Sequence, residues 1–311
     1  MKSISHSESN VFWRLKAIAV FTIFFAHLPY QGESDFMILL FNYLGIVGVP
    51  VFLIISGYFE YASCSSWKTK LKGLFLPLFI WGTIQYVLSV YLGGYIPKHG
   101  LFLGYFMYLY GCGTWLYFVP VLLWCKILCL FDMVWYNVIL LILSLLSITL
   151  TAMDLIPYND YFTKYTNPLN FLIYYQFGFW IKKYAIDCRN KIFITISVVV
   201  IILAILFWDG IPSYFSIWCV PFSVSAFVLL YFVSFRFSWG EEIGRMSYVV
   251  YLVHMLPLSI ISKRIPFFWG TPLQIINVIV IFSIITFSVW LLKKTLYKLN
   301  IYNIIRILGY R

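Results

Sequence analysis

Residues 14–31, RLKAIAVFTIFFAHLPYQ, form one apolar stretch with cations at its start and a histidine near its end. Lys16 and His27 are eleven residues apart, which at 100° per residue brings both side chains to one face of a helix. Their separation along the helix axis is roughly 16 Å, about half of a bilayer core. Arg14 points to the other side. Because ionisable groups within membrane helices are usually functional, the stretch predicts one wall of a path across a membrane.

The composition indicates an all-α integral membrane protein. Hydrophobic residues make up 62% of the chain and charged residues 11%, whereas soluble domains carry about a quarter charged residues. The mean hydropathy is +0.90. The net charge of +11 is explained by basic cytoplasmic loops, and we expect no nucleic-acid partner. The six cysteines show neither metal-ligand spacing nor a disulfide framework, so we expect no metal.

Runs of about 20 apolar residues predict ten transmembrane helices in a single domain over residues 1–311. The predicted spans are 12–31, 36–59, 73–92, 114–131, 134–153, 168–184, 192–208, 213–235, 246–262 and 273–292. With a cytoplasmic N-terminus, the external segments hold four of the 22 Lys and Arg, and the other eighteen lie inside. This asymmetry predicts that both termini are cytoplasmic. The apolar stretch 101–111 is too short to cross the membrane, so we expect a re-entrant or interfacial segment there. For residues 293–311 we expect a basic amphipathic tail on the cytoplasmic surface.

His27 is the candidate catalytic base. An imidazole titrates near neutral pH and can take a proton from a hydroxyl. The alternative is a histidine that only hydrogen-bonds to a neighbouring helix. Lys16 has an alternative too, because a cation at the start of a first helix sets topology without binding anything.

A second motif occupies residues 45–61, GIVGVPVFLIISGYFEY. Ser56, Gly57 and Tyr58 fall near the inner end of the second predicted span. Ser56 has no adjacent base in the sequence, so close packing of a helix or ligand against Gly57 is favoured over a serine nucleophile. Pro50 is expected to bend the helix.

Two further motifs lie later in the chain. Ser247, Tyr251 and His254 in GRMSYVVYLVH (244–254) share a helix face, which predicts contact with protein or a cavity rather than lipid. Counted from a span that begins near 246, His254 lies roughly 10 Å less deep than His27. The two histidines could line one passage, but this spacing does not imply direct contact. Trp115 in GTWLYFVP (113–120) begins a span and belongs either to this site or to an aromatic belt at the interface.

With these motifs in view, the chain resembles integral membrane acyltransferase family 3 over essentially its whole length. The first-helix motif of that family, a basic residue and a histidine separated by ten residues, is matched by K-AIAVFTIFFA-H. The others are matched by VPVFLIISGY, more loosely by TWLYF, and by SYVVYLVH. The resemblance implies that His27 is catalytic and that Lys16 binds the donor with help from Lys68, Lys70 and Lys72.

The resemblance also implies a reaction. It implies transfer of an acetyl group from cytoplasmic acetyl-CoA, with no bound cofactor, to a sugar hydroxyl of a lipid-linked or growing surface polysaccharide such as O-antigen. The location implied is the bacterial inner membrane. One alternative is transfer of succinyl or another acyl group to a glycan or a small exported molecule. Another is a non-catalytic transporter or flippase of glycan substrates.

Overall fold

The computed structural model describes residues 6–62, 67–91, 95–208, 210–236, 239–264 and 268–310, and all regular secondary structure within these ranges is helical. The α-helices are α1 His6–His27, α2 Asp35–Gly45, α3 Gly48–Ala62, α4 Trp67–Tyr91, α5 Gly100–Tyr110, α6 Phe118–Leu128, α7 Val134–Ala152, α8 Leu169–Lys183, α9 Lys191–Phe207, α10 Cys219–Arg236, α11 Glu241–Val253, α12 Met255–Arg264, α13 Gln274–Lys298 and α14 Tyr302–Ile307. A short 3₁₀ helix, Trp115–Tyr117, precedes α6.

Six segments of the described chain are long and apolar enough to cross a membrane, which agrees with a multi-pass membrane protein. They are Glu8–His27, Asp35–Tyr61, Leu71–Tyr91, Val134–Ala152, Cys219–Arg236 and Gln274–Lys298. Residues Gly100–Tyr110 and Trp115–Leu128 make a seventh candidate if this pair, bent by 54°, is one broken span. The ten crossings and the cytoplasmic termini therefore stay predictions.

The second predicted span consists of two helices with a break at Ile46–Val47. Pro50 explains the break, because its ring lacks an N–H and clashes with the carbonyl group four residues earlier, at Ile46. Gly45 and Gly48 flank the break and face α1. A Cβ atom on Gly45 would lie 2.9 Å from the backbone of Ala26, and one on Gly48 only 2.6 Å from the carbonyl oxygen of Ala19. The two glycines thus let α2 and α3 pack directly on α1.

Ion pairs gather at the face of the bundle where α1 begins, which we call the basic face. Arg14 contacts Glu241 at 2.6 Å, and Lys293 contacts Glu242 at 2.9 Å. Three further pairs at the same face are Lys182–Glu8, Lys183–Asp132 and Lys126–Glu60. These contacts join segments that are far apart in the sequence, so the charges help to fix the packing of the bundle.

The predicted tail, residues 293–311, begins within α13. Lys293 and Lys294 are part of α13, which continues to Lys298, and Lys293 forms an ion pair with Glu242. The residues after α13 fold back on the bundle. The hydroxyl group of the buried Tyr310 donates to the carbonyl oxygen of Val289, and the Trp81 indole donates to that of Leu308.

Candidate active site

The imidazole rings of His27 and His254 lie side by side, with their centroids 5.0 Å apart. His27 is the last residue of α1 and is half-buried, whereas His254 directly follows α11 and is fully buried. The Phe24 ring covers His254 from the α1 side at 5.6 Å. The first and last sequence motifs therefore meet in one site.

The expectation that His254 lies roughly 10 Å less deep than His27 is wrong. It assumed a helix that begins near residue 246, but α11 already begins at Glu241. Carboxylates are favourable in the first turn of a helix, and Glu241 is also paired with Arg14. His254 follows Glu241 by thirteen residues, as His27 follows Arg14, so the two parallel helices bring both histidines to the same depth.

The hydrogen bond of His254 determines which of its ring nitrogens is available. Its Nδ1 lies 2.6 Å from the carbonyl oxygen of Tyr251. Because a carbonyl oxygen only accepts, Nδ1 carries the proton, and in the neutral ring Nε2 then has a free lone pair. Nε2 is buried and has no hydrogen-bond partner among the described residues. A buried acceptor next to His27 can orient or relay a proton.

Trp115 and Tyr251 connect the third and fourth motifs. The Tyr251 hydroxyl group donates to the carbonyl oxygen of Trp115, and the Trp115 ring contacts Tyr108 edge-on at 5.9 Å. Trp115 is thus packed against the core. Ser247 is buried, and its hydroxyl group donates to the carbonyl oxygen of Gly244 in its own helix at 2.7 Å. Of the three residues on the predicted polar face, His254 belongs to the site and Tyr251 packs beside it. The hydrogen bond of Ser247 stays within its own helix.

Gln274, which lies outside the four sequence motifs, holds the chain segment directly after His27. Its side chain donates to the carbonyl oxygen of Pro29 at 2.8 Å and accepts from the backbone N–H groups of Gln31 and Gly270. The residue is completely buried. The signal in the sequence is an amide at the start of a long apolar helix. Its partners Pro29 and Gln31 are 245 and 243 positions away and could not be inferred.

Lys16 lies at the other end of the His27 face, near the basic face. Its Nζ atom is 4.5 Å from the centroid of the Trp13 ring and 5.3 Å from that of Phe59. Lys72 is exposed on α4. The side chains of Lys68 and Lys70 lie outside the described residues. Lys16 thus lies next to aromatic rings of α1 and α3. Donor binding by Lys68, Lys70 and Lys72 stays a prediction.

The Ser56-Gly57-Tyr58 motif is a packing element at the basic face. A Cβ atom on Gly57 would lie 1.9 Å from the carbonyl oxygen of Tyr175, so α3 and α8 touch backbone to backbone, as the packing interpretation predicts. Tyr58 hydrogen-bonds to Glu8, and Lys182 donates to the Tyr58 oxygen at 3.1 Å. Ser56 is half-buried on the same helix.

No three His, Cys, Asp or Glu side chains in the described ranges converge as metal ligands would. The two imidazoles are the titratable groups that the arrangement brings together at the ends of α1 and α11. Two imidazolium cations at this distance and away from water would repel strongly, so the pair suits the transfer of one proton at a time.

A protein-family model, the acyltransferase domain Acyl_transf_3, matches residues 14–293. The chain belongs to acyltransferase family 3. The match spans α1 to α13 and therefore includes both histidines. No curated protein and no solved structure matches the chain. Membership in this family supports membrane acyltransferase activity.

Proposed function

We propose that the protein is a bacterial inner-membrane O-acetyltransferase that moves an acetyl group from cytoplasmic acetyl-CoA to a sugar hydroxyl of a surface polysaccharide such as O-antigen. The observation that carries the proposal is the His27–His254 pair at the far end of a helix whose other end holds Lys16. Family membership supports acyl transfer. Under this proposal the basic face is cytoplasmic, which agrees with the concentration of Lys and Arg in cytoplasmic segments.

In the proposed reaction His27 acts as the general base. The acceptor hydroxyl group loses its proton to His27 while its oxygen bonds to the carbonyl carbon of the thioester. The carbon–sulfur bond breaks, and the CoA thiolate leaves and takes the proton back from His27. His254 is held by Tyr251 so that Nε2 can support the His27 imidazole. The donor's phosphates bind near Lys16, and its pantetheine arm extends along the α1 face towards His27.

The test is transfer of labelled acetyl groups from acetyl-CoA to glycan in membranes. His27→Ala is expected to abolish transfer. The matched control is His99→Ala, because His99 lies beside Asp160 in a separate cluster and contacts Tyr161 rather than the histidine pair. Full transfer by a correctly inserted His27→Ala protein contradicts the catalytic role. A labelled intermediate on His27 would make it an acyl carrier instead of a base.

The same preparation separates the alternatives. Mass analysis of the host polysaccharide with and without the gene distinguishes acetyl from succinyl groups and shows which sugar is modified. Movement of glycan across the membrane without consumption of acetyl-CoA would support a flippase and contradict the proposal.

A further inference from the structure

The indole ring of Trp13 has two cations beside it. The Lys16 ammonium lies 4.5 Å and the Arg245 guanidinium 5.5 Å from the ring centroid. Trp13 and Lys16 belong to α1 and Arg245 to α11, and Phe59 of α3 lies 5.3 Å from the Lys16 ammonium on another side. Three helices thus converge on a cationic cluster at the basic face. Arg245 was not among the donor-binding residues that the sequence predicts.

Gly244 produces this convergence. A Cβ atom at Gly244 would lie 1.8 Å from the carbonyl oxygen of Trp13, so the backbones of α1 and α11 are in direct contact at this point. The next residue in α11 is Arg245, whose side chain is thereby held against the Trp13 ring. Orientation in a membrane requires positive charge at the cytoplasmic end, but it does not require two cations on one ring.

The carboxylates nearest in sequence are already engaged. Glu241 pairs with Arg14 and Glu242 with Lys293. Within the described part of the chain, Arg245 forms no ion pair. Two cations beside one indole repel each other, and an anion that binds near the ring is attracted by both. The arginine adds a planar fork of donors that fits the oxygens of a phosphate group.

From this arrangement we infer that Trp13, Lys16 and Arg245 form the site that binds the phosphates of the acyl-CoA donor. The inference rests on the proposed function and assigns to it a donor-binding residue, Arg245, on a second helix. Lys16 lies on the His27 face of α1, so a donor whose phosphates are held at this cluster is in line with His27 along one helix. The same two helices, α1 and α11, then hold the donor at one end and the histidine pair at the other.

The experiment measures binding of coenzyme A to the purified full-length protein in lipid nanodiscs, without an acceptor. Replacing Arg245 by Gln is expected to raise the Kd for coenzyme A by about tenfold to a hundredfold, which corresponds to the loss of a charge-assisted contact. Arg236→Gln is the matched control, because Arg236 also stacks on a ring, that of Phe232 at 4.6 Å, on another helix. The control is expected to bind coenzyme A like the wild type.

Arg245→Lys keeps the charge, and its Kd is expected to lie between those of the wild type and Arg245→Gln. It replaces Arg245→Gln as the test if that variant does not fold. Added salt should weaken binding by the wild type and by Arg245→Lys more than by Arg245→Gln, which has lost one of the two charges. Wild-type affinity in Arg245→Gln, or wild-type affinity in Arg245→Lys if only that variant folds, overturns the inference and leaves the proposed function standing. A wild type that binds no coenzyme A overturns the proposed donor, and this inference with it.

Discussion

His27 and His254 contact each other because α1 and α11 run parallel in a fixed register. The Arg14–Glu241 ion pair lies thirteen residues before the histidines on both helices. Arg14 also donates to the carbonyl oxygen of Ser234 at 2.9 Å, which ties α10 to the same point. The ion pair at one end of the helix pair and the contact of Gly244 with Trp13 thereby help to set which residues meet at the other end.

The first prediction concerns this register. Arg14→Glu is expected to lower both the unfolding temperature and the transfer rate, because it opposes two partly buried carboxylates at a helix contact. The double variant Arg14→Glu/Glu241→Arg is expected to restore most of both. The control is the same exchange at Lys98 and Asp160, an ion pair that is 73% and 51% exposed and should contribute at most about 1 kcal/mol. Failure of the double variant to recover transfer would show that charge complementarity does not position the site.

The second prediction separates the two nitrogens of His254. In His254→Asn the amide group can still donate to the carbonyl oxygen of Tyr251, but Nε2 is lost. We expect this variant to unfold near the wild-type temperature and to transfer at least about tenfold more slowly, since a group that assists proton transfer is missing. His254→Ala should lose both stability and transfer. Thermal unfolding and initial transfer rates distinguish these outcomes, and normal transfer by His254→Asn would exclude a role for Nε2.

The sequence predicts contacts within one helix well and contacts between helices poorly. The spacing of Lys16 and His27 is a property of α1 alone, and α1 is continuous from His6 to His27. The depth of His254 depends on where α11 begins, and a pair between residues 14 and 241 helps to fix that point. Neither hydropathy nor periodicity contains this information.

The same limit explains the residues that were missed. Arg245 and Gln274 stand out in the sequence only as polar residues beside apolar runs. Their partners, Trp13 for the first and Pro29 with Gln31 for the second, are more than 200 positions away. The prediction of Gly57 as a packing residue succeeded because a glycine within an apolar helix has few other uses.

The third prediction compares two buried amides one turn apart on α13. Gln274→Leu leaves the carbonyl oxygen of Pro29 and the N–H groups of Gln31 and Gly270 without a partner, so we expect a loss of about 1–3 kcal/mol and slower transfer. Asn277→Leu is the control. The Nδ2 group of Asn277 is buried and has no partner among the described residues, so its replacement should be neutral or stabilising. Thermal unfolding of both variants in one lipid system tests the comparison, and equal effects would contradict it.

The fourth prediction concerns the contact between α3 and α8. Gly57 and Gly178 each face a carbonyl oxygen of the other helix, and an added Cβ atom would lie 1.9 Å from that of Tyr175 or 1.8 Å from that of Ile54. Either Gly→Ala change must push two backbones apart, so we expect little folded protein by fluorescence-detected size exclusion. Gly82→Ala is the matched control, because its nearest neighbour is the flexible end of the Leu109 side chain at 2.4 Å, which can rotate away. Normal folding and transfer in Gly57→Ala would show that the helices can separate without loss, and the motif would then need a role other than packing.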